Sequence, residues 1–191
     1  MSAAAEWSGD ALAAVFALVS SRVSGAAGEL GRLDAQAGDG DLGTSLTTGF
    51  AAAAAAAGAL TEADPPAVLT AVGRALATQA PSTMGTLLGT VFLRGAAVVG
   101  PVLDGSGVVA VLDAGCAAVE QRGGVVTGQR TVLDALRPSA TAAETAAGAG
   151  QNLAGVLAAA ARAASEGAAA TASMEPQVGR ASCRERVSCC V

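Results

Sequence analysis

Ala51 through Ala57 is unbroken alanine, and much of the chain is built in the same manner. Hydrophobic residues make up 52% of the sequence, yet aromatic residues make up only 2%. A core without rings has to be assembled from Ala, Val and Leu. Alanine is the strongest helix former and is depleted in strands. The composition therefore predicts closely packed helices rather than a sheet. A length of 191 residues suits one domain and is enough to bury a sizeable core.

Helix punctuation divides the chain. Ser8 or Asp10 can cap a first helix running to about Ser20. A short second helix is predicted from Gly25 to Leu33, and Gln36 to Gly43 reads as a small, acidic loop. Thr44 or Ser45 opens an alanine-rich helix to about Leu60. Asp64-Pro65-Pro66 starts the next helix, which ends before Pro81. After a second small-residue loop, Pro81 to Thr86, helices are predicted over Leu87–Val99 and Asp104–Gln121. Gly123 to Gly128 forms a third loop, and Thr131–Leu136 a short helix stopped at Pro138. Ala140 to Ala170 is one helical stretch, with a break possible near Gly148–Gly150. The expectation is an all-α fold of about seven helices whose three special loops can meet at one end.

Charge and residue types exclude several function classes. A net charge of −5 with no basic stripe argues against nucleic acid. Histidine is absent, which removes imidazole catalysis and His-ligated zinc. Cys116, Cys183, Cys189 and Cys190 form no CxxC pair, so neither a disulfide framework nor a zinc site is expected. Glu6 and Asp10 precede the first apolar run, where a signal peptide would be basic, and Ala51–Leu60 is too short to span a bilayer. A cytoplasmic protein with no membrane partner is expected.

The chemistry concentrates in Leu33-Asp34-Ala35-Gln36-Ala37-Gly38-Asp39-Gly40-Asp41-Leu42-Gly43-Thr44. Bringing carboxylates together is costly unless a cation offsets them. The glycines let the backbone turn tightly enough for Asp34, Asp39 and Asp41 to converge. Magnesium takes hard oxygen ligands, often carboxylates together with substrate phosphates. The helix start that follows offers unpaired backbone N–H groups to a phosphate. A solvated acidic turn would have the same composition. The spacing does not fit an EF-hand, since Ser45 stands where that loop needs Glu. There is no P-loop motif and no lysine, so a transferring phosphate would have to be neutralised by metal, Arg or backbone.

The Leu-Asp-x-x-x-Gly-Asp-Gly-Asp-x-Gly-Thr pattern resembles the nucleotide-binding domain of dihydroxyacetone kinases, the DhaL or DAK2 family, and the resemblance covers roughly residues 10–182. It implies a closed barrel of eight antiparallel helices with the nucleotide at one end. It also implies that Asp34, Asp39 and Asp41 hold two magnesium ions bridging the phosphates of ADP or ATP. Leu42, Gly43, Thr44 and Ser45 fall on the family's nucleotide-contacting run, although many members have His where Leu42 stands. Thr83-Met84-Gly85-Thr86-Leu87-Leu88-Gly89-Thr90 resembles a second nucleotide loop, which implies contacts from Thr83 and Met84. Met replaces a family Ser there, and its adaptable thioether can pack on a purine. Gly123 and Val132 match adenine-site positions in a third loop, where Gly128, Thr131 and Asp134 also agree. Gln129 and Arg130 replace a usual Asp-Lys pair, and Asp134 can brace the loop or reach the ligand. Arg180, within Gly179-Arg180-Ala181-Ser182, matches an arginine that faces the phosphates.

After Ser182 the resemblance stops. The expected division is a DhaL-like domain over 1–182 and a non-matching, Cys-rich tail over 183–191, so the barrel is expected to lack the last of its eight helices. The resemblance further implies a kinase acting on dihydroxyacetone or a related ketose such as erythrulose. The sugar would be held by a separate DhaK-like subunit, and no catalytic residue is assigned to this chain. The phosphoryl donor is either exchanging ATP or a phosphotransferase-system protein that recharges bound ADP. Two other readings stay open: a non-catalytic helical scaffold or regulator, and the nucleotide domain of a fatty acid kinase-like system.

Overall fold

The computed structural model describes residues 6–36 and 38–178. Among them the chain forms seven α-helices: α1 (Gly9–Asp34), α2 (Leu42–Gly58), α3 (Pro65–Gln79), α4 (Thr83–Ala96), α5 (Gly105–Gly123), α6 (Leu133–Gly148) and α7 (Leu153–Ala170). A short 3-10 turn, Thr171–Ser173, follows α7. The extended backbone is limited, among these residues, to an antiparallel bridge between Trp7 and Leu103. The all-α expectation holds.

Each helix packs chiefly on its neighbours in sequence, from α1 on α2 through to α6 on α7. Short connections force this up-and-down order. The ends confirm it. Trp7, just before α1, pairs with Leu103, just before α5. Gly9, at the start of α1, lies against Ala63 and Asp64, at the start of α3. At the other end, the residues after α1, before α4 and at the end of α5 share one cleft.

Side-chain caps start five of the helices. Ser8, Asp64, Ser82, Asp104 and Asn152 each accept a backbone N–H from the first turn. The Gly107 amide, followed by the Ser106 hydroxyl, holds the Asp104 carboxyl below its ordinary value. α2 and α6 start without a side-chain cap bond, and both begin at the cleft end of the bundle.

The core follows from the scarcity of rings. Leu12, Phe16, Leu46, Phe50, Val68, Val72, Leu76, Leu153 and Val156 form its centre. Phe16 of α1 meets Phe92 of α4 edge to face, with ring centroids 5.4 Å apart. Elsewhere, small residues let backbones touch. A β-carbon on Gly43 would lie 2.0 Å from the Ala27 carbonyl oxygen, so α2 begins directly against α1. Gly73 and Gly89 face each other in the same manner between α3 and α4. A second cluster, Val91, Cys116, Val119, Val125, Leu133 and Ala140, lies under the loop joining α5 to α6. Burial pushes the Cys116 thiol up, which keeps it a neutral core group.

Three element boundaries differ from the sequence reading. The polar stretch around Ser20 and the glycine at Gly25 do not break α1, which runs on to Asp34. Val19, Val23 and Leu30 pack on the core along this length, and packing outweighs the modest helix penalty of glycine. α4 starts at Thr83, ahead of the expected Leu87, because Ser82 caps it. Pro138 does not stop a short helix but lies inside α6. It cannot donate to the Asp134 carbonyl, and α7 crosses at that carbonyl through Gly167, where a β-carbon would clash with it. The 140–170 stretch does break, at Gly150 with φ +75°.

By length and composition α1 is apolar enough to cross a membrane, while Leu12 and Phe16 on it belong to the core. Close backbone contact also makes a stability prediction. Gly43→Ala is expected to lower the unfolding free energy by about 1–3 kcal/mol through overpacking. Gly28→Ala adds a methyl with nothing within 4 Å and is expected to raise it by about 0.5–1 kcal/mol. Urea denaturation of both variants checks the two signs.

Candidate functional site

The turn after α1 is wound around Asp34. Its Oδ2 accepts the Gly40 amide at 2.8 Å, and its backbone carbonyl accepts the Gly38 amide. Gly40 adopts φ +82°, a conformation that glycine takes without strain. A β-carbon at position 38 would overlap the Asp34 carboxylate, so glycine there leaves that side chain free to stay where it is. The backbone then enters α2 with Asp41 at its N-cap, yet no Asp41 side-chain bond caps the helix. One carboxylate oxygen each from Asp34, Asp39 and Asp41 falls within 4.8 Å of the others. Asp34 is half-buried, and Asp39 and Asp41 are exposed.

Hard carboxylate donors at this spacing suit a magnesium-type cation. Opposite ligands on one magnesium stand about 4.2 Å apart, given metal–oxygen distances of about 2.1 Å. Three like charges so close also call for a counter-charge.

Asp39 and Asp41 line one side of a cleft of about 620 Å³, a volume in the range of small-molecule sites. Pro81, Ser82 and Thr83 and the first turn of α4 line another side, and Arg122 and Gly123 close it from the end of α5. The three loops singled out in the sequence therefore do meet. The Ser45 hydroxyl donates to Ser82 Oγ at 3.0 Å, tying the first turn of α2 to the start of α4.

The individual residues fall into different places. Thr83 and Gly123 line the cleft. Thr44 is exposed in the first turn of α2, and Gly43 is buried against α1. Leu42 and Met84 are partly buried against the main core and do not line the cleft. Val132 packs on the second cluster, beneath the third loop. Arg180 lies outside the described residues.

Asp134 acts as a brace. It is buried, and its carboxylate accepts the amides of Gly128 and Thr131. Those bonds hold a loop in which Gly128 and Arg130 both have positive φ. Gln129 Oε1 accepts the Val126 amide, and the Gln129 carbonyl accepts that of Gln177. Arg130 donates to the Met174 carbonyl. The Gln129-Arg130 pair thus holds the segment after α7 against this loop. Arg137 adds a link from α6 to α5, with Glu120 at 2.6 Å and Asp113 at 3.7 Å.

Sequence reading missed Arg122 and Ser82. Arg122 is the one basic residue among those lining the cleft. With no lysine in the chain, an arginine next to Gly123 was the signal available. Ser82 was readable only as part of the small-residue loop from Pro81 to Thr86.

This architecture is that of an up-and-down helical domain with an acidic loop and two further loops at one end. The chain belongs to the DAK2 domain family, which it matches over residues 36–189. It is 37% identical over 174 residues to a D-erythrulose kinase of Mycolicibacterium smegmatis, an alignment covering 89% of this chain and 30% of that protein. The ADP-binding subunit DhaL of the PEP-dependent dihydroxyacetone kinase 1 of Listeria innocua is 31% identical over 110 residues, 57% of this chain and 56% of the subunit. The dihydroxyacetone kinase of C. freundii, solved with AMP-PNP and Mg2+, superposes with a TM-score of 0.70 at 26% identity, over 85% of this chain and 29% of that one. The chain thus spans less than a third of the erythrulose kinase and of the solved kinase, and about half of the subunit.

Removing the brace should loosen the third loop. Asp134→Ala is expected to lower stability by about 1–3 kcal/mol, the cost of losing two part-buried amide bonds to a charged acceptor. Faster hydrogen exchange at residues 125–132, with the α2 and α3 amides unchanged, is the accompanying readout.

Proposed function

We propose that this domain holds a magnesium–nucleotide complex and serves phosphoryl transfer to a hydroxyl of dihydroxyacetone or a related small ketose. The observation carrying this is the convergence of Asp34, Asp39 and Asp41 beside a cleft of nucleotide size. Magnesium, when bound, would neutralise charge on the phosphoryl oxygens. The three aspartates are its ligands in this reading, with two ions shared among them. Metal-bound carboxylates stay ionised, so they act as ligands and not as a base.

Leu42, Gly43 and Thr44 follow the acidic loop in the first turn of α2, where backbone N–H groups can receive a phosphate, and Ser45, whose amide is paired with the Asp41 carbonyl, completes the run. Thr83 and Gly123 border the nucleotide from the other two loops, and Met84 and Val132 support those loops from beneath. Arg180 adds charge at the phosphates by resemblance alone. Arg122 supplies a fixed positive charge in a chain without lysine or histidine.

A cytoplasmic, DhaK-like sugar-binding subunit or domain presents the ketose and activates its hydroxyl. The domain spans 1–182 in this reading. The donor is ATP or a phosphotransferase-system protein acting on retained ADP. The AMP-PNP in the C. freundii kinase favours the first route for that enzyme. The PEP-dependent name of the Listeria subunit favours the second for that one. The erythrulose kinase supports a four-carbon ketose as an acceptor.

Calorimetric titration of the nucleotide-free chain with ADP and ATP, with and without magnesium, tests the proposal. Magnesium-dependent binding is expected, abolished in the Asp39→Ala/Asp41→Ala double variant. A folded chain that binds neither nucleotide would sink the reading and leave a helical scaffold.

A further inference from the structure

We infer that Ser82 is a ligand-binding residue of the cleft, donating its hydroxyl proton to a phosphate oxygen of the bound nucleotide. The inference rests on the nucleotide reading above and adds a residue to it. Ser82 lines the cleft, and nearly all of its own hydrogen-bonding capacity is committed. Its amide donates to the Ala80 carbonyl at 2.7 Å, and its carbonyl accepts the Thr86 amide and the Thr86 hydroxyl. Its Oγ accepts two donors: the Gly85 amide at 3.1 Å and the Ser45 hydroxyl at 3.0 Å. A serine oxygen has two lone pairs and one proton. The Ser45–Ser82 contact consumes one of the pair's two hydroxyl protons, and with Ser45 as its donor the Ser82 proton is the one left, without an acceptor among the described residues.

The placement gives the ligand atom. Ser45 lies in the first turn of α2, and its amide donates to the carbonyl of Asp41. The Ser45–Ser82 bond therefore sets the remaining proton beside the acidic loop, where phosphates would lie. A phosphate oxygen accepts only, so it matches a donor with no acceptor capacity left. Two donors also fix the oxygen before the ligand arrives, which limits the ordering cost of binding. Met84, two residues on, carries no hydroxyl and packs against the core. Thr83 lines the cleft but is exposed, and among the described residues no hydrogen bond orients its hydroxyl.

Ser82 also caps α4, so the test has to separate binding from capping. Glycine replaces serine at an N-cap with a loss of only a few tenths of a kcal/mol. Ser82→Gly, Ser82→Ala and Ser82→Thr are to be titrated with ADP in magnesium, alongside Asn152→Gly, which removes the cap of α7. Ser82→Gly and Ser82→Ala are expected to bind about tenfold more weakly, the scale of a hydrogen bond to a charged group. Ser82→Thr should stay within about twofold of wild type, as a retained hydroxyl requires, and Asn152→Gly should bind as wild type does. Ser82→Gly with wild-type affinity would overturn the assignment while leaving the nucleotide site intact. Wild-type protein that binds no nucleotide would overturn both.

Discussion

Close contact between helix backbones is the constraint on which the rest of the structure depends. With almost no aromatic side chains, the bundle fills space by bringing main chains together at glycine and alanine. Gly43 against the Ala27 carbonyl is the case that matters most for the site. That contact sets the start of α2 against α1, and the acidic loop has to close within the short span between them. The convergence of Asp34, Asp39 and Asp41 follows from a packing contact as much as from the glycines in the loop itself.

The cleft is assembled from helix ends rather than from helix faces. α1 and α5 finish there, α2 and α4 begin there, and the brace at Asp134 holds the loop that leads into α6. Helix ends expose backbone groups that helix interiors have already paired. A polar ligand can therefore be bound without placing polar side chains in an apolar core. The uncapped start of α2 and the hydroxyl pair at Ser45 and Ser82 belong to this arrangement. The opposite end is ordinary by comparison, with caps at Ser8, Asp64, Asp104 and Asn152 and a single bridge from Trp7 to Leu103.

Much of this was legible in the residues. Alanine content and proline placement indicated helices, and the acidic loop stood out because clustered aspartates are unfavourable without a cation. Boundaries were less legible where a local signal opposed a tertiary one. Gly25 and Ser20 read as a break, but core contacts on both sides carry α1 through them. Pro138 read as a stop, but it lies in the second turn of α6, and the carbonyl it leaves without a helical donor lies where Gly167 crosses. Met84 and Leu42 were readable as site positions, while their burial depended on the direction in which a helix face turns.

The sequence by itself determined the helical class, the division into segments and the chemistry of the acidic loop, because propensity, capping and charge clustering are local properties. Family membership is likewise carried by a linear run of residues. Tertiary structure decided which loops share a cleft, that Arg122 lines it together with Asp39 and Asp41, and that Ser82 borders it while Met84 packs against the core. Those outcomes depend on the up-and-down order of the helices and on how closely their backbones approach, and both are set by contacts between residues far apart in the chain.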